Sequence, residues 1–212
     1  GALTQNYEGR TQVSAAYVQD AWKLNDVLLL TLGLRQERFA ARDGEQFIAG
    51  TLHTYAAREL SGTSPKASLA WRVNPDLTLK ASAGRGVRFP NVEELYNGTV
   101  TGATYTQSDP HLLPEKSNAF ELSAEQRWPD HRLRASLFHD DVRDAILRQT
   151  DISVVPNVTR ISNVDRVKTS GIEFDWQAFD LGLPGLSLNA NAAFVQAKVV
   201  ANAKDPRSVG KY

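Results

Sequence analysis

The chain of 212 residues contains neither cysteine nor methionine. Disulfides and thiolate metal sites are therefore excluded, which fits an oxidising compartment. No segment approaches the roughly 18 consecutive apolar residues of a membrane-crossing helix. The run Val27-Leu28-Leu29-Leu30 is already broken by Thr31. Charge of neither sign is in excess: 24 basic and 24 acidic residues cancel, so the basic surplus expected of a nucleic-acid partner is missing. A Gly-x-Ser-x-Gly elbow is also missing. Gly84-Arg85-Gly86 lacks the third glycine and following helix of a dinucleotide loop. The sequence opens at Gly1-Ala2-Leu3 without an initiator methionine or signal peptide, and is expected to be a piece of something longer.

These absences do not imply a water-soluble protein. Strands that cross a bilayer alternate apolar and polar residues, so the mean hydropathy of −0.36 is compatible with either setting. Alternation with period two is the dominant pattern. Ala67, Leu69, Trp71 and Val73 oppose Lys66, Ser68, Ala70 and Arg72, and Leu77, Leu79, Ala81 and Ala83 oppose Thr78, Lys80, Ser82 and Gly84. Phe120, Leu122, Ala124 and Trp128 oppose Glu121, Ser123, Glu125 and Arg127, with Gln126 discordant. Leu133, Ala135 and Leu137 oppose Arg132, Arg134 and Ser136, and Ile172, Phe174, Trp176 and Ala178 oppose Glu173, Asp175 and Gln177. Strands are expected over residues 12–24, 27–39, 66–73, 77–87, 118–128, 132–144, 164–179 and 186–200, about eight in all, with residues 145–161 extending two of them. The predicted class is all-β: an antiparallel up-and-down barrel segment with neighbours in chain order and no helix beyond about two turns.

The connections alternate in length. Asn25-Asp26, Asn74-Pro75-Asp76, Pro129-Asp130-His131 and the stretch Leu181-Gly182-Leu183-Pro184-Gly185 read as short turns. Polar stretches of roughly 25 to 30 residues occupy the other end. Trp22, Trp71, Trp128 and Trp176 all fall shortly before the short turns, at spacings of 49, 57 and 48 residues. Indole collects at membrane–water boundaries because its ring is apolar and its N–H stays wet. The four are expected to form one girdle, with Leu69, Leu79, Leu122, Leu133 and Ile172 on the same lipid-facing side. Lys80, Glu121, Glu125, Arg127, Arg134, Glu173 and Asp175 would then face a watery lumen or a plug. The competing reading is a soluble β-sandwich whose core the tryptophans fill, although sandwiches mix loop lengths at both ends.

The long-loop stretches carry a family likeness. Gly84-Arg85-Gly86-Val87-Arg88-Phe89-Pro90, followed by Glu94-Leu95-Tyr96, resembles a segment of TonB-dependent outer-membrane receptors, and so does Asp109-Pro110-His111-Leu112-Leu113-Pro114-Glu115-Lys116-Ser117. Ser64-Pro65-Lys66, Gly33-Leu34-Arg35 and Gly171-Ile172-Glu173 match barrel habits of the same family. Phe89 and Ser108-Asp109 depart from the usual residues. The resemblance implies a barrel of roughly 22 strands with an N-terminal plug, energy-coupled uptake of a ferric siderophore or similar scarce ligand, and the TonB complex as a partner through the plug. No plug domain, TonB-contacting box or aromatic-ended last strand is read in residues 1–212, and the stretch from Arg207 to Tyr212 reads as loop. The whole chain is thus expected to be a partial barrel in the outer membrane of a Gram-negative cell, with lipid around it and no resident cofactor.

Ligands of such receptors are often anionic or aromatic-rich, so loop arginine, tyrosine and histidine are the natural contacts. Arg85, Arg88, Tyr96, Tyr105 and His111 are the candidates. Against this stands a structural role, with Arg85 and Arg88 anchoring wall or plug through ion pairs while Glu94 and Tyr96 stabilise the loop. His139, Asp140, Asp141 and Asp144 suggest a metal at first sight, but alternation sends His139 and Asp141 one way and Asp140 the other. No metal site and no catalytic residue is assigned. A small outer-membrane barrel enzyme and a soluble β binding module remain the other function classes.

Overall fold

A computed structural model of the chain describes residues 5–48, 50–180 and 182–211. Gly1, Ala2 and Leu3 of the opening, Leu181 of the last turn and Tyr212 at the end lie outside the described residues. Eight long strands follow one another: β1 (Gln5–Lys23), β2 (Leu28–Ile48), β4 (Arg58–Arg72), β5 (Leu77–Arg88), β8 (Glu115–Arg127), β9 (His131–Asp151), β10 (Asn157–Phe179) and β11 (Ser187–Ala201). Each pairs antiparallel with the next. Three short strands belong to the connections: β3 (Thr51–Tyr55), β6 (Val100–Thr101) and β7 (Thr104–Gln107). One helix, α1, covers Val92–Tyr96, and a 3₁₀ turn covers Pro206–Ser208. The sheet is an open meander whose outermost long strands are β1 and β11.

Two features depart from the sequence reading. Strands β9 and β10 run to 21 and 23 residues, carrying the expected extension through residues 145–161, but β2 also runs to 21 residues, so that residues 40–48, which read as loop, are ladder. Beyond the bilayer the outer face of a strand no longer meets lipid, so the alternation fades in the sequence while backbone pairing continues, even where the inner face buries Phe39, Ala41, Ile146 and Ile161. The connection between β9 and β10 shrinks to residues 152–156 in consequence. The second departure is a parallel pairing: Thr104–Gln107 of β7 lies alongside Asn157–Arg160 of β10. It arises because the connection from β5 to β8 reaches across the sheet before returning.

Short turns cluster at one end, as the dipeptides predict, and two share a device. Asn25 Oδ1 accepts from Val27 N and Leu28 N at 3.0 and 2.9 Å. Asn74 Oδ1 accepts from Asp76 N and Leu77 N at 2.9 and 2.8 Å. A side-chain oxygen thus satisfies the donors that the tight reversal leaves without a ladder partner. At the third turn, Trp128 N donates to His131 O at 2.8 Å and the two rings stack 4.4 Å apart.

Register sorts the residues into two faces. Trp22 pairs Leu30, Leu30 pairs Leu69, and the row continues through Ala81, Leu122, Leu137, Ile172 and Phe194. Trp71 opposes Leu28 and Leu79, and Trp176 opposes Leu133. Trp22, Trp71 and Trp176 therefore share one face with Leu69, Leu79, Leu122, Leu133 and Ile172, and Trp128 continues it past the end of β8. That face is bare: Leu122 is 60% and Phe194 68% exposed, an apolar surface that only lipid or another apolar body would cover. The opposite face carries Lys80, Glu121, Glu125, Arg134, Glu173 and Asp175, with Arg134 Nη2 donating to Glu121 Oε1 at 2.8 Å. A buried core does exist, but at the long-connection end and on the polar side: Phe39, Ala41, Leu95, Tyr96, Leu112, Ile146 and Ile161.

Candidate functional site

Residues 89–114, which join β5 to β8, form the lid of that core. Asn91 caps α1 by accepting from Glu94 N at 2.9 Å, while Glu94 Oε2 accepts from Asn91 N at 2.9 Å, a reciprocal box that starts a helix of five residues. So short a helix has no stability of its own; packing holds it. Leu95 and Tyr96 point into the core, each 1% exposed. Phe89 stacks on Phe39 at 5.1 Å and Tyr96 on Tyr55 at 5.4 Å.

Tyr96 lies over two glycines of the wall. A Cβ on Gly44 would sit 2.4 Å from its Cζ, and one on Gly9 would sit 2.7 Å from its Cε2. Only residues without a side chain let the ring reach the backbone this closely. Gln46 Nε2 donates to Tyr96 O at 3.1 Å, and Tyr55 Oη donates to Gln46 Oε1 at 2.9 Å. Burial pushes both phenol hydroxyls, Tyr96 and Tyr55, above the usual range. Tyr105, on β7, neighbours Tyr55 and adds to that shift.

Arg88 ends β5 and connects the two sequence motifs. Its Nε and Nη2 donate to Glu115 at 2.9 and 3.2 Å, and its Nη1 donates to Glu94 at 2.9 and 3.1 Å. Glu115 Oε2 also accepts from Ile146 N at 2.7 Å. Arg88 thus brings together the helix start and the first residue of β8, which in turn holds Ile146 of β9. Arg58 donates to the carbonyls of Pro110 and Leu112. Asn163 donates to Leu113 O at 3.0 Å and accepts from Leu113 N at 2.8 Å. Arg148 Nη2 reaches Glu93 at 2.5 Å.

The five sequence candidates do not converge on one point. Tyr96 and Tyr105 belong to the aromatic cluster with Tyr55, Tyr96 being wholly buried and Tyr105 half-buried. Arg88 sits beneath, its donors shared between two carboxylates. His111 is exposed at the loop crest, its backbone N donating to Asp109 Oδ1 at 2.8 Å. Arg85 is on the other face: by register it follows Ala81 and Ala83 on the apolar side, and its Nε donates to Asn118 Oδ1 at 3.2 Å. Arg58, Gln46 and Asn163, which fasten the lid, carried no sequence signal, because their partners are mostly backbone groups about fifty residues away.

The acidic stretch on β9 diverges as the alternation predicts. His139 Nδ1 lies 2.7 Å from Ser170 Oγ, Asp141 accepts from Arg166 Nε at 2.7 Å, and Asp140 lies 3.5 Å from Ser117 Oγ. Among the described residues no three His, Asp or Glu side chains gather as metal ligands would.

Comparison with known proteins sets this geometry in context. The family model for TonB dependent receptor-like β-barrels matches residues 1–212. An iron-regulated outer membrane virulence protein of Vibrio cholerae serotype O1 is 30% identical over 147 residues, covering 66% of this chain and 20% of its own length. The chain therefore spans about a fifth of that relative. Among solved structures, the copper transporter OprC superposes with a TM-score of 0.72 at 20% identity, over 90% of this chain and 30% of that one. The ferric yersiniabactin uptake receptor FyuA of Yersinia pestis gives 0.66 at 18% identity, over 92% and 28%. At these identities the two structures speak for the fold.

Proposed function

Since the chain belongs to the TonB-dependent receptor β-barrels of the Gram-negative outer membrane, we propose that it forms part of the wall and mouth of a transporter for a ferric siderophore or related iron complex. The observation that carries this reading is the lid of residues 89–114, folded over the polar face at the end away from the tryptophans. It places an aromatic cluster and an exposed histidine where a solute arriving from outside would first meet the barrel. The iron-regulated character of the Vibrio cholerae relative and the ferric cargo named for the Yersinia pestis receptor support iron among the metals. Uptake would depend on a plug within the lumen and on the TonB complex beneath it. The charged face carrying Lys80, Glu121, Glu125, Arg134, Glu173 and Asp175 suits such a plug. The activity proposed is transport, not catalysis.

Roles within the lid divide by exposure. On this reading His111 and Tyr105 touch the ligand, whereas Arg88 and Tyr96 hold the surface on which it rests. In the full receptor, changing Tyr105 and His111 together to alanine should weaken binding of ferric hydroxamate, ferric catecholate or haemin, whichever the wild type takes up, by about tenfold or more. Barrel insertion should be unaffected. Unchanged affinity in that variant would move recognition to other loops.

A further inference from the structure

The apolar face changes character abruptly toward the lid end. Above the row Ala81, Leu122, Leu137, Ile172 and Phe194 comes a mixed row of Ala83, Phe120, His139, Ser170 and Gln196. The next row is Arg85, Asn118, Asp141, Lys168 and Lys198, and the one beyond it Val87, Lys116, Arg143 and Arg166. Pairing is regular from β5 through β10 over these rows, so all of these side chains leave the sheet on the lipid side. Six cations share the two rows with a single carboxylate, Asp141, which Arg166 holds in a two-pronged pair. Asp144, at a φ of 54°, and Asp165 lie just beyond these rows, and Asp165 accepts from Ala203 N. Glu115 lies on the opposite face beside its register partner Arg88. Lys116, Arg143 and Lys198 are exposed, and none of them forms an ion pair among the described residues.

Height places this cluster. From Trp176 to Arg166 along β10 is ten residues, which at about 3.3 Å each and a strand tilt near 40° rises about 25 Å, the height of an outer-membrane apolar band. The tryptophans mark one interface, so the cations stand at the headgroup level of the other. On the other half of the sheet the same ladder row carries Val18, Leu34 and Pro65, and a lone Arg38 pairs Ser61, ten residues up from Trp71. The charge is therefore concentrated on the strands from β5 to β11, which a general solubilising belt would not require.

We propose that Arg85, Lys116, Arg143, Arg166, Lys168 and Lys198 bind the phosphate groups of a phosphorylated lipid in the outer leaflet. Its acyl chains would lie on Phe120, Leu122, Leu137, Ile172 and Phe194. Arginine supplies forked donors that match phosphate oxygens and lysine supplies point charge. In a chain of zero net charge, a surplus this concentrated on a lipid-facing patch needs an anionic counterpart. The proposal shares with the transport reading only the placement in the membrane, since its residues lie on the opposite face from the lid core.

The test uses the full receptor in neutral detergent, titrated with bis-phosphorylated lipid A, the same lipid dephosphorylated, or inorganic phosphate, with thermal unfolding and lipid retention in native mass spectrometry as readouts. Only the bis-phosphorylated lipid should stabilise and remain bound, with retention falling as salt rises. Replacing Lys116, Arg143, Lys168 and Lys198 together by alanine should abolish both effects while leaving unfolding without lipid at the wild-type temperature. The milder pair K116Q and K198Q, at two exposed positions, should weaken the lipid by roughly fivefold per charge removed. Equal retention by wild type and both variants would overturn the proposal, and so would equal stabilisation by dephosphorylated lipid or by free phosphate. Iron-complex binding in the same variants should stay at the wild-type level, so failure here and failure of the transport reading are separate results.

Discussion

Tyr96 shows how a single side chain can decide where a long connection rests. Its ring fills the space above Gly9 and Gly44, and its carbonyl is held by Gln46. Gly44→Ala drives a methyl into a ring that cannot withdraw, so the lid should loosen by about 1–3 kcal/mol. Tyr96→Ala should cost about 3 kcal/mol through the cavity it leaves. In the double variant the methyl no longer meets a ring, so the combined loss should fall well short of the sum. Rates of limited proteolysis within residues 97–108 would report it, since cleavage follows local opening. Additive losses would mean that the two residues do not meet. Arg88 offers a second case at this scale. With its side chain 44% exposed, Arg88→Ala should cost only about 1 kcal/mol, and lysine should not restore it, because one ammonium cannot serve Glu94 and Glu115 with forked geometry.

At the scale of elements, the lid should respond to alkaline pH. Burial raises the Tyr96 and Tyr55 hydroxyls above the phenol value near 10. In the open lid they titrate at the ordinary value, so the closed form binds more protons between the two values. Closure is therefore at full strength below about pH 10 and is lost as pH climbs through the raised values. Proteolytic sensitivity of the lid should rise there, and Tyr96→Phe should blunt the rise. An identical profile in the variant would remove Tyr96 from the account. The elements also show what a sequence can carry. Strands within the apolar band were legible because one face meets lipid and the other meets water, which imposes alternation. The turn asparagines were legible because their side chains act on the next two or three backbone donors. The extensions of β9 and β10 through residues 145–161 were legible in outline, whereas that of β2 over residues 40–48 was not, because ladder hydrogen bonds leave no trace in side-chain type once the outer face no longer meets lipid. The motif residues Arg88, Glu94 and Glu115 stood out in the sequence, yet nothing local revealed that they bond to one another. Arg85, three residues earlier, proved to face the other way, which the alternation through Ala81 and Ala83 already implied.

The whole molecule has its core outside the membrane-spanning part. Within the band, the leucines and phenylalanines of one face are left for lipid, and the polar face is left for whatever fills the lumen. Stability there comes from antiparallel pairing, while side-chain packing gathers under the lid. Such a design ties the protein to bilayer thickness. Along β10, from Trp176 to Lys168 and Arg166, the apolar surface rises about 20–25 Å at the usual strand tilt. A bilayer much thicker than that would bury Arg166, Lys168 and Lys198 in hydrocarbon, where each cation costs about 2–4 kcal/mol near the midplane and less toward the interface. Thinning the bilayer or tilting the barrel relieves part of the mismatch at a fraction of a kcal/mol per ångström. Reconstituted into phosphatidylcholine nanodiscs of increasing acyl length, the full receptor should unfold at its highest temperature in the short-chain lipids, whose core is nearest 25 Å. It should lose stability steadily toward chains of eighteen carbons. Replacing Lys168 and Lys198 by leucine should move the optimum toward thicker bilayers, because the apolar surface then reaches higher. A temperature profile flat in chain length, or an optimum that ignores those two lysines, would mean that the tryptophans and cations do not mark the two edges of the band.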